Sequence, residues 1–470
     1  MKQEELRGRR TDAGSRRRSS AIVGIVGIAA IVGCTTEPAP PPKAPAAPVP
    51  LTTATATARP EDDAPRPSEN EAALAKILAK MSAVRGLPVL SKVGLRTLDR
   101  ATIEAMIRAK AARELPSDVL DLETEAMVAL GLVPPSYDAT NGMFEMIGAS
   151  IAGFYEPEDK TMYLASDLGA GERDETLAHE LVHALQDQHF DLGPLFKYRP
   201  DADEPLAAGH ALAEGDATSA MFDHARGKPG FVEEEGFADA ARDSIEKLSP
   251  DTPAALRESL LSPYVDGLAF VQALRRRGGF AAVDAAWRAL PVTTEQILHL
   301  DKYDAREPAI EIAPASFEGL AKAKSDRRFS QVFTQVLGEQ GLRIVLEAWA
   351  ERDKARRAAA GWGGDRFVLA KGEGSAAGEV VLAWHLRFDT EEDAKEMEKV
   401  LSAEAHGDCV SRPDVGPFAW ARKKADVALA LGPYSRKGKS VKGTGTCKEA
   451  KWWLQTILSP KPATQGLKRP

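Results

Sequence analysis

Residues Leu177–Leu192 read LAHELVHALQDQHFDL. Leu177, Leu181 and Leu185 recur every four residues, the spacing of a buried stripe on a helix. Just ahead, Glu172, Asp174 and Glu175 place negative charge where a helix N-terminus favours it. A helix over Ala170–Phe190 is therefore expected. On it His179, Glu180 and His183 stand in the order HExxH. Residues four apart lie about 40° apart around a helix, so both imidazoles point the same way. So placed, they can share one divalent metal, and zinc with three protein ligands and a position left for water is the usual hydrolytic arrangement. Glu180 is then positioned to take a proton from that water.

Two histidines leave the ligand set incomplete. His189 follows His183 by six residues, the spacing of the last histidine in the metzincin pattern HExxHxxGxxH, but Gln186 stands where that pattern turns on glycine. A helix that simply continues carries His189 about 240° round from His183 and out of reach. A second helical pattern, Pro205–His224 (PLAAGHALAEGDATSAMFDH), supplies Glu214, 31 residues after His183. This arrangement resembles the gluzincin zinc peptidases, in which a glutamate on a second helix completes a His-His-Glu set. Ala211–Ala217 (ALAEGDA) is also similar to a segment found in several bacterial HExxH peptidase groups. The resemblance covers Leu177–Ala217. It implies a zincin-like domain, Zn2+ held by His179, His183 and Glu214, Glu180 as catalytic base, and a protein or peptide substrate. The chain departs from the thermolysin pattern at Ala213, where that family has asparagine, and at Thr218, where it has a supporting aspartate. Asp216 or Asp187 are the alternatives for orienting a ligand histidine through its other ring nitrogen. His210, four residues before Glu214 and on the same face, is the rival third ligand.

Hydrolysis also needs a donor for the developing oxyanion. Ser262–Leu274 and Thr293–Tyr303 offer Tyr264, His299 and Tyr303, and His299 is the second candidate catalytic residue.

Upstream of the motif, Gly148–Ala165 contains two β-like runs around Glu156-Pro157-Glu158-Asp159, a hairpin whose edge an extended peptide could join. Glu69–Met81, Thr97–Leu115 and Ser117–Leu130 read as helices, with Ser117 as the expected N-cap of the last. Met1–Ser20 is basic. Ala21–Gly33 is an apolar run of 13 residues, short of the roughly 20 a spanning helix needs and suited to a signal peptide. Ile31-Val32-Gly33-Cys34 resembles the lipobox of bacterial lipoproteins, which implies lipid on Cys34 and a membrane anchor. Residues 34–67, rich in Pro, Ala and Thr, cannot bury a core and read as a tether. Thr35 is not the aspartate that commonly retains such proteins at the inner membrane, so an extracytoplasmic, outer-membrane or periplasmic-facing location is favoured.

Downstream, Arg327–Ala360 reads as helical. Beyond Gly361-Trp362-Gly363-Gly364 the pattern turns strand-like at Arg366–Ala370 and Glu379–Phe388, helical at Thr390–Ala403, strand-like at Phe418–Arg422 and Ala425–Leu431, and amphipathic at Cys447–Leu458. Cys409 and Cys447, the cysteines left after Cys34, could pair in an oxidising compartment.

The formal net charge is −8. The first 33 residues hold seven cations against three carboxylates, so without them the chain is near −12. That excludes nucleic acid as an expected partner, since phosphate binding needs a basic footprint. The expected fold is α+β and mostly helical: a signal over 1–33, a lipidated tether over 34–67, a zincin-like metallopeptidase domain over 68–320, and a helical linker with a small α+β domain over 321–470. Two other readings share this architecture: a catalytically silent scaffold for binding or envelope assembly, and a zinc hydrolase of a non-peptide amide.

Overall fold

The computed structural model describes residues 67–199, 202–317, 320 and 327–459. The signal, Cys34 and nearly all of the tether lie outside them. The chain is α+β and mostly helical, with an antiparallel sheet unit in its C-terminal region.

Helix α1 (Pro67–Arg85) is followed by strand β1 (Gly94–Leu98) and helix α2 (Arg100–Glu114). The continuous helix expected over Thr97–Leu115 is thus divided. Asp99 accepts a hydrogen bond from the Thr102 amide and starts α2, while the residues before it run parallel to a later strand. Helix α3 (Val119–Leu130) begins after Asp118, not at a Ser117 cap, and no side chain caps it. Helix α4 (Ala139–Ser150) has no clear signature in the sequence because its two glycines and small polar residues blur the apolar stripe. The expected hairpin is present as β2 (Gly153–Glu156) and β3 (Thr161–Ala165), and the small sheet runs β1-β3-β2 with β2 at an edge.

Helix α5 (Ala170–Phe190) spans the residues anticipated for it, and Leu177, Leu181 and Leu185 are buried. Helix α6 (Asp203–Arg226) lies beside it, followed by α7 (Glu234–Leu248) and the long α8 (Ala254–Arg288), which bends at Gly278–Gly279. Short helices α9 (Thr294–Leu298) and α10 (Leu300–Ala305) complete this half. Helices α6 and α8 cross at contact distance because both carry glycine at the crossing. A Cβ on Gly215 would lie 2.0 Å from the Gly267 carbonyl oxygen, and one on Gly267 would lie 1.9 Å from that of Ala211.

The C-terminal unit opens with a strand, β4 (Arg327–Gln335), where a helix was expected. Its Phe329 and Phe333 pack into different layers across a bulge between Gln331 and Phe333, and pairing with β5 (Trp362–Gly374) overrides the helical composition of the residues next to it. Helices α11 (Gly338–Glu347) and α12 (Arg352–Ala359) come next, then β6 (Glu379–Phe388), α13 (Glu391–Glu404), β7 (Cys409–Arg412), β8 (Gly416–Lys423), β9 (Asp426–Lys437), β10 (Ser440–Gly443) and α14 (Cys447–Ile457). The sheet order is β4-β5-β6-β9-β8-β7, with β10 on β9. Successive side chains of β5 enter opposite layers. Phe367 and Leu369 join a core with α11, α12 and α13, while Val368 and Ala370 pack towards Trp453 of α14. A Cys409–Cys447 disulfide ties β7 to the start of α14.

The two halves share a core. Leu122, Ala126 and Phe144 of α3 and α4 belong to one apolar cluster with Phe333, Leu346 and Phe418. Helix α11 meets α8 through Gln340 and Arg343, which both donate to Asp266.

Candidate metal centre

The buried leucine stripe of α5 turns its neighbouring stripe, His179 and His183, towards α6. Three atoms converge there. His179 Nε2 and His183 Nε2 are 3.0 Å apart, and Glu214 Oε2 lies 3.2 Å from the first and 3.7 Å from the second. Nitrogen and oxygen ligands at 2.0–2.1 Å around a tetrahedral zinc sit about 3.3–3.4 Å from one another. The observed triangle brackets that spacing, so these residues fit the ion they imply.

The partners of this triangle fix how its atoms face. Gln186 Nε2 donates to the Ala213 carbonyl and to Asp216 Oδ2, each at 3.1 Å. Both are acceptors, so the amide must present its NH2 to them and its oxygen to His183. That oxygen lies 2.7 Å from His183 Nδ1, which is therefore the protonated nitrogen. The lone pair of His183 is left on Nε2, facing the triangle. Of Asp216 and Asp187, the two carboxylates expected to orient a ligand histidine, neither makes the direct bond. Asp216 acts through Gln186. Asp187 accepts from Tyr155 Oη at 2.8 Å and Lys160 Nζ at 2.6 Å, tying the β2–β3 hairpin to α5.

His210, the rival ligand, bonds the other oxygen of Glu214, Oε1, at 2.9 Å. A carboxylate accepts only, so His210 Nε2 is the donor, and Glu214 is steered with Oε2 towards the two histidines. Burial pulls the Glu214 carboxyl up, but the bonds from His179 and His210, with His183 close by, outweigh it and hold the group well below the usual range. Burial moves His179 the other way, down, against the pull of Glu214. His179 Nδ1 and His210 Nδ1 are buried without a hydrogen-bond partner.

Glu180 follows His179 on α5, and its Oε2 accepts from the Tyr155 amide at 3.1 Å. Tyr155 belongs to edge strand β2, so one outward amide of the edge expected to receive a peptide is already engaged by the candidate base. His179, Glu180, His183, His210 and Glu214 are all at most 4 % exposed.

The remaining candidates separate clearly. His189 bonds the Pro88 carbonyl at 2.7 Å, and α5 continues through it, so it does not join the set. The Tyr303 hydroxyl donates to the Ala289 carbonyl at 2.9 Å. His299 makes no hydrogen bond to the three converging ligands. Its Nε2 pairs with Glu339 of α11 at 2.8 Å, a bond that raises its pKa against the effect of burial. Tyr264 of α8 is the aromatic that packs on His179, with ring centroids 6.1 Å apart.

A second convergence of acids, Glu295, Glu307 and Asp389, carries its own cation. Lys302 Nζ lies 3.4, 2.6 and 2.5 Å from them, so that group is an internal ion-pair cluster. His179, His183 and Glu214 have no such cation among the described residues.

Arg85 bears on the centre without any signal in the sequence. Fully buried, it places Nε 2.6 Å from Asp216 Oδ1 and Nη2 2.7 Å from Asp284, and Trp287 Nε1 donates to Asp216 at 2.9 Å.

No curated protein and no solved structure matches the chain. A family model described as a domain of unknown function (DUF8575) matches residues 327–441, from the first strand of the C-terminal sheet to within its last.

Proposed function

We propose that the chain is a zinc-dependent peptide hydrolase of the gluzincin type, exported and held to a membrane by lipid on Cys34. The observation that supports this most is the triangle of His179 Nε2, His183 Nε2 and Glu214 Oε2, with edges of 3.0, 3.2 and 3.7 Å, its two histidines on the helix that also carries Glu180. Zinc held there would act as a Lewis acid on a carbonyl and lower the pKa of water towards neutrality.

The chain's own residues supply the rest. Glu180 accepts the proton from the attacking water and returns it to the leaving amine, the dual role a carboxylate at this position can serve. Its bond from the Tyr155 amide fixes the carboxylate plane against β2. Tyr264, which packs on His179, is the candidate for steadying the oxyanion. His210 and Gln186 hold Glu214 and His183 in place. The outward edge of β2 aligns an extended substrate once Glu180 releases the Tyr155 amide.

That last requirement, with the near-complete burial of the ligands, favours a second reading: a zinc-bearing scaffold that binds without cleaving. The purified chain decides between them. The zinc content is measured first, then cleavage of casein and of a peptide library by wild type and by Glu180→Gln. Hydrolysis should fall about 10²–10⁴-fold in the variant with zinc retained. Stoichiometric zinc without any Glu180-dependent cleavage sinks the peptidase reading and leaves the scaffold or a zinc hydrolase of a non-peptide amide.

A further inference from the structure

We infer that Gln186 is a positioning residue that sets the tautomer of His183, and that Arg85 of α1, Asp216 and Trp287 hold it in register. This hydrogen-bond network belongs to the chain itself, and the metal reading enters only where metal affinity is the readout.

Donors and acceptors around Gln186 decide its orientation. The oxygen and nitrogen of a side-chain amide are alike in size and shape, so the hydrogen-bond partners must tell them apart. Here the surroundings leave one choice. Asp216 is a carboxylate, with Oδ1 taken by Arg85 Nε and Oδ2 by Trp287 Nε1 and Gln186 Nε2. The Ala213 carbonyl is also an acceptor. Reversing the amide would set its oxygen against both and leave its NH2 facing a ring nitrogen. The orientation of Gln186 therefore follows from the placement of Asp216, whose carboxylate is pinned by the fully buried Arg85 through Oδ1 and by Trp287 through Oδ2. Arg85 is itself held by Asp284 and by the face of Phe280, with its guanidinium carbon 4.7 Å from the ring centroid.

The consequence is a line of contacts from α1 to the candidate centre: Arg85, Asp216, Gln186, His183. Each bond dictates the polarity of the next, and the last leaves the lone pair of His183 on Nε2. A residue 98 positions upstream of His183 thus determines which imidazole nitrogen can accept a metal.

Two measurements on the full-length chain test this. In the first, histidine is selectively labelled with nitrogen-15. The chain has eight histidines, so resonances can be assigned by single substitution. Metal-free wild type should show His183 with Nδ1 protonated. Gln186→Met keeps the length of the side chain and removes both bonding ends, and should give mixed tautomers. A single unchanged tautomer in Gln186→Met overturns the inference, whatever the chain does with metal.

In the second, zinc affinity is read by competition with a chromophoric chelator. Gln186→Met should bind about 10- to 100-fold more weakly, the range for loss of a partner that orients a ligand, and Arg85→Met should follow it. Arg275→Met is the control. Arg275 forms a buried ion pair with Asp223 between α6 and α8; its guanidinium also lies over Phe280, but it makes no hydrogen bond to Asp216, Gln186 or the candidate ligands. It should lose stability without losing zinc affinity in the molecules that remain folded. Equal zinc affinity in wild type and Gln186→Met overturns the inference and leaves the metal reading standing. If wild type and His179→Ala both fail to bind zinc, the metal reading fails, and the tautomer result alone then decides for or against Gln186.

Discussion

Glu214 in the helical half and Asp365 in the C-terminal unit are both buried carboxylates, satisfied by different kinds of donor. Asp365 accepts from the amides of Leu337 and Gly338 and from the indoles of Trp362 and Trp384, at 2.9–3.1 Å. None of those donors changes protonation state. Burial raises the Asp365 pKa and the four bonds pull against it. Among the described residues Glu214 is met by imidazoles, which can give up a proton and offer a lone pair instead. A carboxylate closed by fixed donors is a structural joint between α11 and the sheet. One closed by exchangeable donors is a place where a cation can take over. The same contrast separates Glu214 from Glu295, which burial pushes up to about 7 although Lys302 lies beside it.

The comparison breaks most severely at the helix crossing behind Glu214. Gly267→Ala would drive a methyl group into the Ala211 carbonyl, and backbone on both sides leaves nothing flexible to yield. Helices α6 and α8 must separate, at about 1–3 kcal/mol or more, and Glu214 moves with α6. Zinc affinity and hydrolysis should both collapse. Gly372→Ala is the counterpart in the sheet, where the new Cβ would lie 2.0 Å from the Ala376 carbonyl oxygen. It should cost comparable stability in thermal unfolding, yet leave zinc affinity unchanged in the protein that remains folded. Loss of zinc in both variants would mean that the two halves do not separate structural from functional burial.

This division also explains what the sequence made legible. HExxH is readable because a shared metal would demand two imidazoles one helical turn apart, a local constraint. Glu214 was within reach because its helix carries its own pattern. Gln186 stood out only as the missing glycine of another motif, since its role comes from Asp216, thirty residues on. Arg85 gave no signal, because a buried arginine in an Ala/Leu-rich helix looks like any solvated one until its partner, 131 residues away, is placed. In the C-terminal unit alternation revealed β5, β6, β8 and β9. It missed the short β7 and β10, and β4, whose strand state depends on pairing with β5 and not on its neighbours in the chain.

A smaller effect is expected where the halves meet. Glu204, in the first turn of α6, accepts from the Thr294 amide at 2.8 Å and from its hydroxyl, and lies against Gly338 of α11. Burial, opposed by those bonds and reinforced by Asp365 and Asp203, pushes its pKa up to about 8. A carboxyl raised on folding binds its proton more tightly in the native state. Its stabilising contribution is complete below the unfolded pKa, near 4.5, and is lost as pH rises to about 8. Stability measured by urea unfolding should therefore fall across that window by a few kcal/mol. Glu204→Gln should flatten the decline and leave hydrolysis at pH 7 within about twofold of wild type. A decline of unchanged slope in the variant would assign the pH dependence to another buried acid, with Glu295 next in line.

The smallest effect at the centre should come from the disulfide. Cys409 and Cys447 stand 38 residues apart in the chain, and constraining a loop of that length is worth up to about 4 kcal/mol in the chain-entropy account. That contribution belongs to β7 and α14, where Trp453 and Leu454 cover one face of the sheet. The face joined to α3 and α4 is a different layer. Cys409→Ser with Cys447→Ser should therefore lower the unfolding midpoint and expose α14 to proteolysis, while zinc affinity and the His183 tautomer stay as in wild type. The exchangeable donors around Glu214 require only that α5, α6 and α8 keep their positions. Those positions depend on the Gly215–Gly267 crossing and the Arg85 ion pairs, both remote from the disulfide. If removing it weakened zinc binding, the shared core between α3, α4 and the sheet would have to transmit strain as far as α6, and the independence of the two kinds of buried carboxylate would fail.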